Sequence, residues 1–415
     1  MSITNQNTIM NKNKFLSLSA ALVALTALFA SCEKDGGKDN VIPSYTLGIS
    51  FVAPSDELSL DNISEASIKI SRTSGTALDS TVVLKDLADT SFTLPQGSYT
   101  LLLSGKIANE ATGYVSASAN VDLYQDVKTS LTLSKYTQSS LIFKAIYTTG
   151  GVMGYVNDSY FEIVNNSDEV QYLDGVILMN TDGGQKKELN SWQENGFIDR
   201  YVSGQGCVVA FPASESGKEI PLEPGKSVVV ANDAAAHNTL AEEGNHCPDL
   251  SGAAWEVYQD YITNDVDYVG ARNLDIIHII TTYARFGMGF FNAGYILAKL
   301  PEGMTPKEYA ALEESKTTAP GTTSTTLYFV IPSKYVLDAV DMWANDATEH
   351  YIQFLSSDDA SGVLASQAWE GKCLRRKVTK VVDGRAYYKD TNNSGEDFLN
   401  NQPLQPGYEF TEIDE

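Results

Sequence analysis

Four histidines are all that 415 residues offer, so acid–base or transition-metal chemistry has few places to sit. His237 and His246 bracket Glu242 and Glu243, with Asp249 just beyond. Imidazole and carboxylate together suit a divalent metal. No His-x-His and no i,i+4 pair fixes a ligand geometry there, and the plainer expectation is a solvated loop. Asp265 and Asp267, with Asn264 and Asp275, could supply oxygens to Ca²⁺. They lack the Gly and Glu positions of an EF-hand loop. Alternating Asp on the polar face of a strand accounts for them equally. His278 stands in Ile276-Ile277-His278-Ile279-Ile280 and His350 precedes a run that reads as a strand; both read as packed, hydrogen-bonded side chains. For nucleophilic catalysis only Ser333-Lys334 and His246-Cys247 come near a motif, and neither matches one. Gly287-x-Gly289 with Gly294 has the wrong spacing for a dinucleotide turn. The sequence therefore predicts no catalytic residue, no cofactor and no enzyme.

One residue does carry chemistry. Lys12 and Lys14 precede an apolar run, Phe15 to Phe29, that ends in Ala30-Ser31-Cys32. A basic start, a short apolar core and small residues before a cut make a secretory signal. The run falls short of the roughly 20 residues that span a bilayer comfortably. Ala30-Ser31-Cys32 resembles a bacterial lipobox, with Phe29 in place of the usual Leu, Val or Ile. The resemblance implies cleavage after Ser31 and acylation of Cys32. Two or more acyl chains anchor stably, at roughly 0.8 kcal/mol per buried CH₂. Residues 32–43 form a polar, Gly-containing tether opening Glu33-Lys34-Asp35. Such acid-rich residues resemble the surface-export signal of Bacteroidetes lipoproteins, which implies an outer-membrane protein facing the medium. Met10 is a more typical start than Met1.

Lys and Arg total 29 against 53 Asp and Glu, a net charge of −24. That balance argues against a nucleic-acid partner, since phosphate binding needs concentrated Lys and Arg. Residues 1–31 hold two lysines and no acid, so their removal leaves −26. With Cys32 committed to lipid, Cys207, Cys247 and Cys373 remain, and three thiols cannot all pair within the chain. The simplest expectation is buried free thiols, with one disulfide as the alternative.

These groups need elements to position them, and the pattern predicts an all-β protein. Residues 44–136 read as a small β domain: Ile68 and Ile70, Tyr99, Leu101 and Leu103, and Leu131 and Leu133 alternate with polar neighbours. Pro95-Gln96-Gly97 marks a turn between two of its strands. After a junction at 137–140, the chain reads as further strands. They are Leu141–Tyr147, Tyr160–Val164, Gly175–Met179, Gly206–Phe211, Ser227–Ala231, Asp275–Tyr283, Gly294–Lys299, Thr326–Ile331, His350–Leu355 and Val378–Val382, with Ala386–Tyr388 as a shorter one. Thr305-Pro306-Lys307-Glu308 is a capping box with Pro at the first helical position, which predicts a short helix to about Glu314.

The small domain's hairpin resembles transthyretin-like and immunoglobulin-like modules of bacterial surface proteins. The larger region, 141–415, resembles a lamin-tail-like β-sandwich. Tyr160-Phe161-Glu162-Ile163-Val164-Asn165-Asn166-Ser167, then Leu173-Asp174-Gly175, then Leu222-Glu223-Pro224-Gly225 carry the likeness. So do Asp338-Ala339-Val340, Leu374-Arg375-Arg376 and Asp390-Thr391-Asn392-Asn393-Ser394, with loop and short-helix insertions at about 232–325. The fuller set adds Asp233 to His237, Pro248-Asp249-Leu250-Ser251-Gly252, and Asn264-Asp265-Val266-Asp267 with Asn273-Leu274-Asp275. It resembles the Bacteroidetes lipoproteins of the domain-of-unknown-function 4876 family. Trp255 stands where that family would place Phe, and Cys373 where it would place Ser or Ala. The likeness implies a non-enzymatic, lipid-anchored binding or accessory protein working with a TonB-dependent outer-membrane transporter in nutrient or metal uptake. A surface adhesin or scaffold and an unrecognised hydrolase are the alternative expectations. Asp79-Ser80-Thr81 fits the O-glycosylation motif of Bacteroidetes secreted proteins, which makes Ser80 a candidate acceptor.

Overall fold

Period-two alternation becomes pleated strands with one wet face in the first third of the chain. The computed structural model describes residues 42–55, 58–72, 74, 78–110, 113–182, 189–287, 293–344 and 352–414. The signal segment, Cys32 with nearly all its tether, Gly289 and His350 lie outside the described residues. In the small domain, Gly97–Ile107 alternates buried and half-buried side chains along its whole length. It lies at the centre of a five-stranded sheet ordered Leu78–Val83, Ile63–Arg72, Gly97–Ile107, Gly113–Leu123, Ser134–Thr137. A three-stranded sheet of Thr90–Pro95, Ser44–Val52 and Val127–Thr132 faces it. Leu47, Ile68, Leu101, Val115 and Leu131 share one core between them. Each such side chain, fully buried, contributes roughly 1.5–3 kcal/mol. At the turn, a Cβ on Gly97 would stand 2.5 Å from Arg72 Nε, so a larger residue there would have to displace the Arg72 side chain.

From Leu141 the pattern changes. Leu141–Tyr147 and Tyr160–Asn165 are buried at every position, as strands covered on both faces must be. They sit inside a seven-stranded sheet ordered Arg272–Asn273, Trp255–Glu256, Ser227–Ala231, Tyr160–Asn165, Leu141–Tyr147, Lys372–Arg376, Phe398–Pro403. A six-stranded sheet is ordered Asp275–Ile279, Cys207–Ala210, Val176–Asn180, Gly294–Lys299, Val336–Trp343, Val363–Leu364. The main core, with Phe143, Phe161, Val209, Tyr295 and Leu297, joins side chains of the two sheets. A further core, with Ile177, Ile296 and Phe329, holds the helix Pro306–Ala311 through Tyr309 and Ala310. The all-β reading is correct, and the sheets form sandwiches rather than a barrel.

Besides shifts of one or two residues at several strand ends, three larger departures from expectation occur. The helix capped by Thr305 stops at Ala311, and a separate 3₁₀ turn follows at Glu313–Ser315. The Asp275 strand ends at Ile279 because Ile280 and Thr281 both donate their amides to Gly206 O, which turns the chain away. Residues 352–355 form no strand. Gln353 there bonds side chains instead: its Nε2 donates to Asp341 Oδ1 at 2.6 Å and its Oε1 accepts from Thr181 Oγ1 at 2.7 Å. The two regions meet through Lys69 Nζ and Glu396 Oε1 at 2.6 Å, and through the Ser134 and Ser356 hydroxyls at 2.9 Å.

Candidate functional site

Charged side chains inside apolar strands define the interior chemistry. Lys144 in Leu-Ile-Phe-Lys-Ala-Ile-Tyr and Glu162 in Tyr-Phe-Glu-Ile-Val belong to neighbouring strands, and their Nζ and Oε1 lie 2.7 Å apart at 2% and 1% exposure. Lys144 Nζ also donates to Ser227 Oγ at 3.1 Å and to Tyr408 O at 2.6 Å. A charge taken out of water is tolerable when paired and hydrogen-bonded in this way.

A larger cluster surrounds Arg376, which is fully buried in the Lys372–Arg376 strand. Its Nη2 donates to Asp338 Oδ2 at 2.6 Å, and its Nη1 reaches Asp390 Oδ1 and Asp397 Oδ2, each at 3.4 Å. Its Nε donates to Phe143 O at 2.7 Å. Asp338 Oδ2 also accepts the Phe143 amide at 2.7 Å. One guanidinium thus serves three buried carboxylates. Burial, partly offset by Arg376, pushes Asp390 up to about 7, with Asp338 and Asp397 adding repulsion. Burial raises Asp338 in the same sense.

A second cluster collects where the Ser227–Ala231 strand gives way to long loops. Asn264 in the left-handed region, at φ 66°, precedes Asp265, a conformation Asn tolerates. Asp265 Oδ2 then accepts the Gln259 amide at 2.7 Å, and its Oδ1 accepts from Arg285 Nη1 at 2.7 Å. The same Nη1 donates to Asp233 Oδ1 at 2.9 Å. Burial raises Asp233 to about 7 against the pull of Arg285, and neighbouring Asp265 raises it further. Glu256, raised by burial, accepts the Ala234 and Tyr268 amides at 2.9 and 2.7 Å. His237 sits beside this cluster at 2% exposure, its basicity lowered by burial. Its Nδ1 meets Tyr155 OH at 2.7 Å and its Nε2 meets Asp233 O at 2.9 Å, so both ring nitrogens are engaged.

Of the candidate ligands, Asp265 belongs to the Arg285 cluster beside His237, and Asp249 lies near His237 through the bridge between Ala236 and Asp249; the others have partners of their own. His246 donates its amide to Gly151 O. Asp249 accepts from the Ser251 amide and hydroxyl, a local turn. Asp267 accepts from Asn273 Nδ2 at 3.1 Å, and Asp275 pairs with Lys307 at 2.7 Å. Among the described residues no three His, Cys, Asp or Glu side chains converge to hold a metal ion. Cys207, Cys247 and Cys373 are free and buried, and burial pushes each thiol up to about 12. Ser80 is half-buried on the edge strand Leu78–Val83, while Asp79 accepts from the Ser71 hydroxyl at 2.8 Å and lies 3.3 Å from Lys69. His278 Nε2 meets Leu327 O at 2.8 Å, as expected of a packed histidine.

Sequence reasoning did not foresee Arg285 or the charge centres themselves. A usable signal existed for one pair, since Lys144 and Glu162 each interrupt an apolar strand with opposite sign. None existed for Arg285, which lies in an irregular stretch.

The molecule is thus a multi-sheet β protein with two buried charge centres, on Arg376 and on Arg285, and a buried Lys144–Glu162 pair. Residues 223–404 match the model of a family described as a protein of unknown function, DUF4876, and hold both the Arg376 and the Arg285 clusters. The resemblance read from the turn and strand motifs is borne out over that segment. A DUF4876 family protein from Bacteroides thetaiotaomicron is similar at 23% identity and TM-score 0.55, over 89% of this chain and 98% of that one. It supports the fold. A DUF3823 family protein from Parabacteroides merdae aligns at 14% identity over 34% of this chain and 67% of that one, and its TM-score of 0.17 is too low to carry an argument. No curated protein matches the chain.

Proposed function

We propose that this is a non-enzymatic protein of the cell surface, held to the outer membrane by lipid on Cys32. It serves there as a binding or accessory component of a TonB-dependent transporter in nutrient or metal uptake. The observation that carries the reading is the N-terminal order of Lys12 and Lys14, an apolar run, Ala30-Ser31-Cys32 and an acidic tether. The guanidinium groups of Arg285 and Arg376 each hold buried carboxylates inside the fold, an arrangement that suits a structural charge centre. Among the described residues no helix is long and apolar enough to cross a membrane. The net charge of −26 left after cleavage holds the body away from an anionic membrane, so the lipid does the anchoring.

The test has two arms. Metabolic labelling with a palmitate analogue marks the wild-type chain, and Cys32→Ala abolishes the label and releases the protein. A pull-down from native membranes recovers a TonB-dependent transporter. Unlabelled wild-type protein refutes the anchor, and repeated recovery of no transporter refutes the partnership.

A further inference from the structure

We propose that the outer edge of the strand Asp275–Ile279 is a docking site for an extended, basic segment of a partner protein, added as a seventh strand to the six-stranded sheet. The proposal gives the accessory role above a surface and a partner chemistry, and rests on that reading only for the partner's existence.

The strand ends its sheet and pairs on one side alone, with Cys207–Ala210. Among the described residues, no backbone hydrogen bond reaches Asp275–Ile279 from its other side. A register shift opposite Val208 and Val209 leaves Ile277 with no cross-strand counterpart. An open row of N–H and C=O groups is a template for another chain, and proteins usually blunt such edges with Lys, Pro or extreme shortness. The other ends of the two large sheets are blunted. The six-stranded sheet closes on two residues, Val363–Leu364. The seven-stranded sheet closes on Arg272–Asn273 and on Phe398–Pro403, the latter carrying Asn400, Asn401 and Pro403. Asp275-Ile-Ile-His-Ile279 has neither Lys nor Pro of its own, with Lys307 from the neighbouring helix pairing only its first residue, Asp275; Ile276 and Ile277 pack partly against the cores and Ile279 is exposed.

A groove of about 360 Å³ runs beside this edge, lined by Asp260, Tyr261 and Ile276 to Ile279. Ile279 stays 43% exposed and nearby Tyr283 76% exposed. Apolar side chains of an added strand, alternating every second residue, would enter the groove while its main chain met the open edge. Charge selects the occupant. Asp260 is exposed on the groove wall, and the chain as a whole carries −24. Two copies of such a body repel each other, whereas Lys or Arg interleaved with Val or Ile is attracted.

The test uses the full chain and two fluorescein-labelled peptides of seven residues, one alternating Lys with Val and one alternating Glu with Val. Fluorescence anisotropy reads binding, and hydrogen exchange locates it. The Lys peptide binds at least about tenfold more tightly than the Glu peptide, because each favourable charge contact near the surface contributes on the order of 1 kcal/mol. Binding slows exchange of the Ile277 and Ile279 amides. Asp260→Lys, which replaces an attraction by a repulsion, weakens the Lys peptide about thirtyfold on the same Coulomb scale. Ile279→Lys also weakens it, with an unchanged melting temperature showing that the fold is intact. Equal or absent binding of the two peptides overturns the proposal. So does protection that maps elsewhere, or a concentration-dependent dimer that Ile279→Lys dissolves. The exchange experiment on the wild-type chain stands even if both variants misfold. Failure of peptide docking leaves the lipid label and the pull-down unaffected, so the two readings fail separately.

Discussion

Arg376→Met removes one cation from among three buried carboxylates. Asp338, Asp390 and Asp397 are each at most 5% exposed, so water does not replace the guanidinium without opening the domain. Removing one partner of a buried ion pair costs about 3–5 kcal/mol. Phe143 O and Lys389 O also lose their donors. For a β domain of this size, roughly 2 °C of melting temperature accompanies each kcal/mol, so the variant melts about 6–10 °C below wild type. Arg376→Lys keeps one charge but not the fork, and loses about half as much. The pH dependence sharpens the test. Asp390 titrates at about 7 in the folded chain, above its unfolded value. Between about pH 4 and 7 the folded state therefore retains a proton that the unfolded state has released. Stability from this group is fullest below that window and is lost as pH rises through it. Without Arg376 the carboxylates hold their protons still more strongly, so the deficit of Arg376→Met is larger at pH 8 than at pH 5. Calorimetric melts at both pH values measure this. A variant that melts within about 1 °C of wild type, or a deficit independent of pH, refutes the account of one cation neutralising a closed acid cluster.

Other expectations follow from the same geometry. Asp233, also raised to about 7, contributes a fall in stability between about pH 4 and 7, and Asp233→Asn flattens that slope in paired melts. Lys144→Ala strands Glu162 in the core and destabilises by about 3–5 kcal/mol in urea unfolding, much of which Lys144→Met with Glu162→Leu restores. A double-mutant cycle on Lys69 and Glu396, which join the two regions at 2.6 Å, gives a coupling of up to about 1 kcal/mol. Cys207, Cys247 and Cys373 stay unreactive to Ellman's reagent at pH 8 in the native chain and react fully in denaturant.

Much of the fold was legible because its signals are local. Leu141–Tyr147, Ser227–Ala231, Gly294–Lys299 and Val378–Val382 lie where their apolar runs placed them. The Thr305 capping box works as read, with Thr305 Oγ1 accepting the Glu308 amide at 3.2 Å. The four-residue helix Ser191–Glu194, capped by Asn190, escaped notice because one turn leaves no periodicity. Phe398–Pro403 escaped too, since Asn400 and Asn401 hide an edge strand among polar residues. The charge clusters were illegible for a different reason. Asp233, Asp265 and Arg285 come from three separate loops, and only tertiary packing brings them together. Acids are so common in this chain that spacing alone singles out none of them.

The path of the chain through the seven-stranded sheet also sets an order of assembly. Both sheets of the small domain close within residues 44–137, so a chain emerging N-terminus first finishes that domain early. Leu141–Tyr147 follows at once, yet its neighbour Lys372–Arg376 comes near the other end, and Arg376 meets Phe143 across 233 residues of sequence. Contacts of that separation form late and slowly. Until the last forty or so residues are free, the interior strand of the larger sheet lies open along one side, a bare edge that invites aggregation. The acidic surface thereby acquires a kinetic use: like charge keeps half-made copies apart while each waits for its own C-terminus.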